Sequence, residues 1–324
     1  MKTTIISTGA ARFVRRSLAC GMIILAALSL SFAAGVTPSN IGKTFTSPES
    51  AAQALATAAK AKDRTALREV LGPASEELEM SDKVQADEEL TEFASAYDKS
   101  HRIVRESNTN ATLEVGANQW PLPIPLVEKN GQWYFDTEAG KDEVINRRIG
   151  RDELEALQSV RAYADAQREY AGHDHDGSQV LKYAQKIVST PGKKDGLYWP
   201  SEQDGSESPL GPMVAEAQGE GYLTKTSNSE QSGPRPFHGY YFKILKRQGQ
   251  NAPGGKYDYV INGNMIGGFA LVAWPADYGD SGVMTFMINQ QGRVYQKDLG
   301  PSTDSIAKKM DAYDPDSSWK PSRD

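Results

Sequence analysis

The chain has 324 residues, 39% of them hydrophobic, with a formal net charge of −6 at pH 7 and one cysteine. This length allows two domains of about 100–200 residues each, and the apolar content is far above that of a disordered chain. The mildly acidic balance argues against a nucleic-acid partner, because a protein that binds nucleic acid presents a basic face.

Residues 1–35 have the pattern of a secretory signal peptide. Basic residues are concentrated in the first half, and an uncharged apolar run extends from Leu18 to Phe32, followed by small residues suited to signal peptidase. A run of about 15 residues is shorter than the roughly 20 that a membrane span requires. We therefore predict export to the periplasm or the exterior with no membrane span after cleavage; an uncleaved anchor is the alternative. Cys20 lies in the signal, so the mature chain would contain neither a disulfide nor a thiol nucleophile.

The next segments predict helices. Residues 36–46 are predicted to be a flexible tether. Ser47-Pro48-Glu49 is typical of a helix start, with an N-cap serine, a proline at the first helical position and an acid in the first turn. A second helix is predicted from Asp63 to the stop at Gly72-Pro73, and a third from about Lys83 to Tyr97.

Strand patterns follow these helices. The predicted strands are 102–107, 111–115, 123–128 and 132–136. Lys129-Asn130-Gly131 forms the hairpin turn, and the prolines at 121, 123 and 125 indicate that the third strand is an edge or begins late. Three helices followed by an antiparallel sheet indicate an α+β unit over residues 47–146. The order and the closing Gly131-Gln132-Trp133-Tyr134-Phe135-Asp136 resemble the cystatin-like fold of nuclear-transport-factor-2-like domains.

A charged run opens the second half. Three arginines of this run face nearby carboxylates, a pattern that either clamps the two halves or faces water: Arg147, Arg148 and Arg151 against Asp142, Glu143, Asp152 and Glu153. A helix is predicted from Leu154 to about Ala171, and a short one over Val180–Val188.

Four short β-type runs between Phe237 and Gly300 indicate a small antiparallel sheet. The second half is similar in pattern to the globular heads of type IV pilins and pseudopilins. The segments that carry this likeness are 166–171, 182–184, 239–242, 273–275, 285–289 and 292–295. It implies a helix packed on a four-stranded antiparallel sheet over residues 147–313. The residues themselves predict a short helix from Thr303 to about Tyr313 and a polar tail over 314–324.

A more specific likeness covers the whole mature chain. The matching motifs are Phe45-Thr46-Ser47-Pro48-Glu49, Trp120-Pro121-Leu122-Pro123-Ile124-Pro125-Leu126-Val127, Arg147-Arg148-Ile149-Gly150-Arg151, Asp195-Gly196-Leu197-Tyr198-Trp199-Pro200, Ser208-Pro209-Leu210-Gly211-Pro212 and Ala252-Pro253-Gly254-Gly255. Together they resemble the bacterial family numbered 2950 among domains of unknown function. This likeness implies no activity.

Two patterns resemble known catalytic or metal sites. Gly279-Asp280-Ser281-Gly282-Val283 imitates the nucleophile loop of chymotrypsin-like proteases, but no histidine has the sequence setting of their base, so a turn is the favoured interpretation. His173, Asp174, His175 and Asp176 form the one dense group of metal-type ligands. Position twelve from Asp174 is Gln185 rather than the glutamate of a calcium loop, so a solvated loop is favoured over a metal site.

The segment 193–200 is the strongest candidate for binding a ligand. Asp195, Tyr198 and Trp199 combine a carboxylate with two large rings on a predicted loop, which could stack a sugar. The alternative is that both rings fold back and staple an insertion onto the second domain. Nearby acids could supply a glycosidase pair: Glu202, Asp204, Glu207 and Glu216.

These patterns favour a non-enzymatic binding or assembly module of the cell envelope, without a cofactor. The alternative is a hydrolase of cell-wall or extracellular polysaccharide that uses carboxylates near Tyr198 and Trp199. We expect the partner to be an envelope protein or a polysaccharide.

Overall fold

The computed structural model describes residues 41–200, 207–211 and 235–322. These residues form helices and antiparallel sheets, so the predicted α+β class is confirmed. The helices are α1 (Pro48–Ala61), α2 (Arg64–Leu71), a 3₁₀ helix (Pro73–Leu78), α3 (Lys83–Lys99), α4 (Thr137–Tyr170) and α5 (Thr303–Lys309). The predicted signal peptide, residues 1–35, lies outside the described residues.

The strands form two larger sheets and two small ones. In chain order they are β1 (His101–Arg105), β2 (Asn110–Val115), β3 (Trp120–Pro121), β4 (Leu126–Lys129), β5 (Gln132–Phe135), β6 (Tyr240–Leu245), β7 (Arg247–Gln248), β8 (Tyr257–Asp258), β9 (Val260–Ile261), β10 (Asn264–Met265), β11 (Ala270–Pro275), β12 (Met284–Asn289), β13 (Tyr295–Asp298) and β14 (Lys320–Pro321). The first sheet has the order β1-β2-β4-β5, with β3 beside β2, and the second has the order β14-β13-β12-β11-β6. The pairs β7–β8 and β9–β10 form the small sheets.

Local signals place the first helices where the sequence predicts them. Ser47 caps α1 by accepting a hydrogen bond from the backbone N–H of Ser50, and Pro48 is its first residue. Asp63 caps α2, and Gly72 ends it with a left-handed φ of 82°. Each signal acts within one turn of chain, so the predicted starts at Ser47 and Asp63 and the stop at Gly72 are confirmed.

The segment predicted as a tether is packed from residue 41 onward. The Lys43 N–H donates to the Glu69 carbonyl at 2.7 Å, and Phe45 pairs with Trp133 by two backbone hydrogen bonds of 2.7 Å. The Phe45 side chain is buried in the first core. This segment therefore adds an edge to the β5 side of the first sheet.

Helix α4 begins earlier than predicted. It runs without interruption from Thr137 to Tyr170, with Asp136 as its N-cap, whereas the sequence pattern predicts a start at Leu154. Its first half carries many charged residues and therefore lacks the recurring apolar residues from which a helix is predicted. The predicted boundary between residues 146 and 147 therefore lies inside one helix.

The short helix predicted over Val180–Val188 is wrong. The described chain is extended there, and Tyr183 pairs with Met265 while Val188 pairs with Tyr198. Backbone pairing with β10 and with the segment around Tyr198 has overridden the local helical pattern.

The second sheet has five strands rather than the four implied by the pilin likeness. The additional strand is β14, which comes from the segment predicted as a polar tail and pairs with β13. Trp319, just before β14, is buried in the second core. Aromatic burial and strand pairing therefore hold this end of the chain against the sheet.

Two hydrophobic cores underlie the two larger sheets. The first includes Leu55, Leu113, Leu126 and Phe135, and the second includes Val160, Tyr240, Phe269, Leu271 and Phe286. The amino-terminal part of α4 contributes Val144 to the edge of the first core, and its later turns pack on the second. Within the ranges described, no helix is both long and apolar enough to cross a membrane.

Candidate functional site

The segment predicted to bind a ligand is held against the second core. Trp199 is only 4% exposed, and its ring lies against those of Tyr170 and His175, with ring centroids 6.4 Å and 5.3 Å away. The Tyr198 N–H donates to the Ile187 carbonyl at 2.8 Å. A sugar could not stack on Trp199 without displacing these neighbours.

Asp195 holds the turn that leads into this segment. Its carboxylate accepts hydrogen bonds from the Thr190 N–H at 2.7 Å and from Lys186 Nζ at 2.7 Å. The bond from Lys186 is the main reason that the pKa of Asp195 is lowered to about 2. The carboxylate thus stays ionised and bonded within its own loop.

Of the other acids proposed for a hydrolase, Glu207 is the one that falls within the described residues. Glu207 is exposed, and Glu202, Asp204 and Glu216 lie outside the described residues. Glu207 is therefore the one member of that group to which a structural position can be given.

The His-Asp loop uses its polar atoms internally. His175 stacks on Tyr170 at a centroid distance of 4.1 Å, and its Nε2 lies 3.0 Å from the Tyr170 carbonyl; burial lowers the pKa of His175. The Asp174 carboxylate accepts from the backbone N–H groups of Asp176 and Gln179.

The second aspartate of the loop is also occupied. Asp176 pairs with Lys182 at 2.5 Å, and the bond from Lys182 lowers the pKa of Asp176. Across residues 41–200, 207–211 and 235–322, no group of three or more His, Cys, Asp or Glu side chains is arranged to hold a metal ion.

The protease-like serine lies in a buried turn. The Ser281 hydroxyl donates to the Gly239 carbonyl at 2.8 Å and accepts from the Asp277 N–H at 3.1 Å. The side chain is buried, so the hydroxyl is not presented to a substrate. Ser281 instead ties the loop 277–282 to the residue that precedes β6.

A surface that sequence reasoning missed lies beside the hairpin β9–β10. Leu181, Ile261 and Ile266 are 45–58% exposed, although each carries a large aliphatic side chain. Ile261 belongs to β9, Ile266 follows β10, and Leu181 lies on the extended segment that pairs with β10 through Tyr183. We call these three residues the aliphatic surface.

Hydrogen bonds fix the backbone under the aliphatic surface. The Tyr183 N–H donates to the Met265 carbonyl at 2.8 Å, and Gln185 Nε2 donates to the Gly263 carbonyl at 2.8 Å. Asn262 and Gly263 form the tight turn with φ of 50° and 81°, which suits an Asn-Gly hairpin. This Asn-Gly pair between apolar residues is a sequence signal by which the hairpin could have been found.

A further exposed apolar side chain, an aromatic ring, lies on the first sheet. Trp120, on β3, is 59% exposed, and the Arg147 guanidinium lies 5.3 Å from its ring centroid. Arg147 is held in turn by a 2.9 Å bond from Nη1 to the Pro121 carbonyl. The guanidinium covers part of the ring by a cation–π contact, and the remainder faces solvent.

A buried polar cluster joins α4 to segments from both halves of the chain. Arg148 donates to Asp280 at 2.5 Å and to the Leu78 carbonyl at 2.7 Å. Asp152 accepts from Gln85 Nε2 at 2.6 Å and from Arg151 Nη2 at 3.1 Å. The mixed-charge run of the sequence thus places Arg148 and Asp152 inside the protein, while Arg147 remains at the surface on Trp120.

The electrostatics of Asp152 are unusual. Its side chain is fully buried, and burial raises the pKa of its carboxyl to about 7 in spite of Arg151 and Gln85, which favour the ion. Burial also raises the pKa of Asp280, against the opposing charge of Arg148. A strongly shifted buried acid marks a candidate functional site, although structural ion pairs shift pKa values as well.

One protein-family model matches nearly the same residues that form the fold described above. A family model described as "Protein of unknown function (DUF2950)" matches residues 42–322. The chain belongs to this family. The DUF2950 match begins just before the packed Phe45 and ends just after β14, so it includes both sheets and the polar cluster. No curated protein and no solved structure was found to match the chain.

Proposed function

We propose that this DUF2950 protein is exported and acts as a non-enzymatic binding or assembly module of the cell envelope. The observation that carries the proposal is the aliphatic surface, where three large aliphatic side chains are exposed on and beside a hairpin whose backbone is held by hydrogen bonds. Apolar side chains grouped on a rigid surface favour contact with another protein. We therefore propose an apolar segment of another envelope protein as the occupant.

The edge of the hairpin suggests how such a segment would bind. Among the described residues, β9 pairs only with β10, so its other side is an edge. An extended segment can add to a strand edge through main-chain hydrogen bonds, while its side chains meet the apolar groups beside that edge. Ile261 of β9 would supply the first such contact.

The predicted likenesses belong to the same proposal. Residues 47–146 resemble cystatin-like domains and residues 147–313 resemble pilin heads, and both kinds of domain commonly act by presenting surfaces. The hydrolase alternative requires open rings beside a carboxylate pair. The burial of Trp199 and the internal bonds of Asp195 give that alternative no support.

Site-specific photo-crosslinking in intact cells tests the proposal. A photoreactive residue at position 261 is expected to give one adduct of defined mass with an envelope protein, through an apolar segment identified by mass spectrometry. The matched position is Leu154 on α4, which is 62% exposed, and it is expected to give no adduct. The double variant Leu181→Ser/Ile266→Ser is expected to lose the adduct at 261 and to keep the melting temperature of the parent.

Two results would overturn the proposal. Equal adducts at positions 154 and 261 would show that contact is not specific to the aliphatic surface. Binding to envelope polysaccharide that survives Leu181→Ser/Ile266→Ser but is lost in Trp120→Ala would assign the function to the exposed ring on β3 instead.

A further inference from the structure

The buried polar cluster contains three polar side-chain atoms without partners. Gln85 Oε1, Arg148 Nε and Asp152 Oδ2 are buried and have no hydrogen-bond partner among the described residues. Gln85 and Arg148 border a crevice that is too narrow to admit a water-sized sphere. An unpaired buried polar atom is costly, and two of the three, Gln85 Oε1 and Asp152 Oδ2, are acceptors that a single added proton would satisfy together.

Two of the three atoms belong to groups that already share a hydrogen bond. Gln85 Nε2 donates to Asp152 Oδ1 at 2.6 Å, while the second oxygen of each group, Oε1 and Oδ2, is left without a partner. A carboxylic acid and a primary amide can form a closed pair with two hydrogen bonds, one in each direction. The second bond requires a proton on the carboxyl group.

The packing around Asp152 leaves the carboxyl group little freedom to find another partner. A Cβ added at Gly239 would lie 2.8 Å from Asp152 Oδ2 and 2.8 Å from the Ser281 Cβ. Only glycine fits between these two groups. Asp152 is therefore in contact with α3 through Gln85 and with the strand entry at Gly239 at the same time.

The polar and titratable groups of the cluster come from every element packed around Asp152. The groups are Asp82, Gln85, Glu88 and Glu89 from α3 and its cap; Arg148, Arg151 and Glu153 from α4; Gly239 and Tyr240 from the entry to β6; and Asp277, Asp280 and Ser281 from the loop 277–282. Arg148 is paired with Asp280, and Arg151 is paired with Glu89 as well as with Asp152 itself. A negative charge on Asp152 thus enters a region where acids outnumber cations.

We propose that Asp152 is a proton-operated latch that fastens α3 to α4 and to the Gly239 segment. When Asp152 is protonated, its Oδ2–H donates to Gln85 Oε1, and the acid–amide pair is closed by two hydrogen bonds. When Asp152 is ionised, that second bond is lost, the charge is buried beside other acids, and the three segments loosen at this point.

The direction of the pH dependence follows from the linkage relation. Burial raises the pKa of Asp152 from 3.8 to about 7, so the folded protein binds this proton more tightly than the unfolded chain does. The stability contribution is fully present below about pH 4 and is lost as the pH rises through about 7. A shift of about three units in the pKa of Asp152 corresponds to a change of at most about 1,000-fold in the equilibrium constant between the fastened and the loosened state. Asp280 and Glu88, whose pKa values are also raised by burial, change stability in the same direction.

The test measures the ionisation of Asp152 and the stability in the full mature chain. Carboxyl-carbon NMR titration is expected to place one aspartate near pH 7, and this signal should be missing in Asp152→Asn. Infrared spectroscopy should show a buried neutral carboxyl band at pH 5 that disappears at pH 8. Denaturant midpoints of the parent should fall between pH 5 and pH 8, and those of Asp152→Asn, whose amide can still pair with Gln85, should change much less.

Asp280→Asn is the control, because Asp280 is a partly buried acid of the same cluster that is bonded to Arg148 and not to Gln85. It should retain the Asp152 titration near pH 7. Titration of Asp152 near pH 4 would overturn the latch, and so would an equal pH slope in the parent and in Asp152→Asn. The NMR and infrared readouts on the parent decide the matter even if a variant fails to fold.

Discussion

Arg148 and Asp280 form an ion pair across 132 positions of sequence, with Nη1 of the arginine 2.5 Å from Oδ1 of the aspartate. Arg148 Nη2 also donates to the Leu78 carbonyl, so one side chain of α4 joins the 3₁₀ helix of the first half to the loop before β12. The arginine side chain is buried, and the aspartate is largely so. The two halves of the chain are thus connected by a buried charge pair as well as by a continuous helix.

Substitution Arg148→Met should destabilise the protein by about 3 kcal/mol at pH 7, because it leaves Asp280 without its counter-charge in a largely buried position. Denaturant unfolding monitored by tryptophan fluorescence measures this change. The neighbouring Arg147→Met, which loses surface contacts with Trp120, the Pro121 carbonyl and Glu143, should cost less than about 1 kcal/mol. Equal effects of the two substitutions would contradict the assignment of Arg148 as the connecting residue.

Gly239→Ala should be among the most destabilising alanine substitutions in the chain. Gly239 has a φ of 70°, and the new Cβ would lie 2.8 Å from both Asp152 Oδ2 and the Ser281 Cβ. Strain and crowding together should cost more than about 2 kcal/mol. Gly279→Ala is the matched control, since Gly279 has a φ of 83° but open space around it, and it should cost only about 1 kcal/mol. A similar loss of stability for both would show that crowding at Gly239 is unimportant.

Trp199→Ala should lower stability by about 3–5 kcal/mol, as expected for removal of a buried tryptophan. The exposed Trp120→Ala should change it by no more than about 1 kcal/mol. Thermal melting of the two variants distinguishes a stapling role for Trp199 from a binding role. If Trp199→Ala melts like the parent but loses binding to an envelope polysaccharide, the ligand-binding prediction for Asp195, Tyr198 and Trp199 gains support and the stapling interpretation fails.

The stability difference between the parent and Asp195→Asn should vary with pH in the direction opposite to the difference between the parent and Asp152→Asn. The bond from Lys186 lowers the pKa of Asp195 to about 2 in the folded state, so its stabilising contribution is present above about pH 4 and is lost as the pH falls through about 2. The parent should therefore be more stable than Asp195→Asn at pH 7, and the difference should shrink toward pH 2. A difference that is constant over this range would rule out an ionic contribution from the Lys186 bond.

Calorimetric titration of the parent with calcium and with zinc tests the loop 173–176. We expect neither heat of binding nor a shift of the melting temperature at millimolar metal, because Asp174 and Asp176 already accept bonds from backbone N–H groups and Lys182. A saturable heat that is abolished by His173→Ala/Asp174→Ala would assign a metal site to this loop in spite of those bonds.

Features that depend on a few neighbouring residues were predicted well. The helix starts at Ser47 and Asp63 and the hairpin turn at Asn130-Gly131 each rest on a cap or a turn residue that acts within four positions. The late start of β4 at Leu126 follows from the prolines before it, which lack the N–H needed for pairing.

Features that depend on partners distant in sequence were not predicted from the sequence. The segment 180–188 has a helical pattern but is extended, because it pairs with Met265 and Tyr198. The first half of α4 has too many charges for a recognisable apolar stripe, and it is helical because its charged side chains meet partners on both sides, as Arg148 does with Leu78 and Asp280.

The sequence alone determined the α+β class, the expectation of export and the membership of the family, because these depend on composition, periodicity and motifs that are read along the chain. Tertiary structure alone decided what the charged and aromatic residues do. It placed Trp199 in the core, left Leu181, Ile261 and Ile266 exposed near the hairpin β9–β10, and set Asp152 against Gln85 and Gly239. Gln85 precedes Asp152 by 67 positions, and Gly239 follows it much later in the chain. Burial and the contacts between distant segments set the pKa of Asp152, and neither can be read from residues adjacent in sequence.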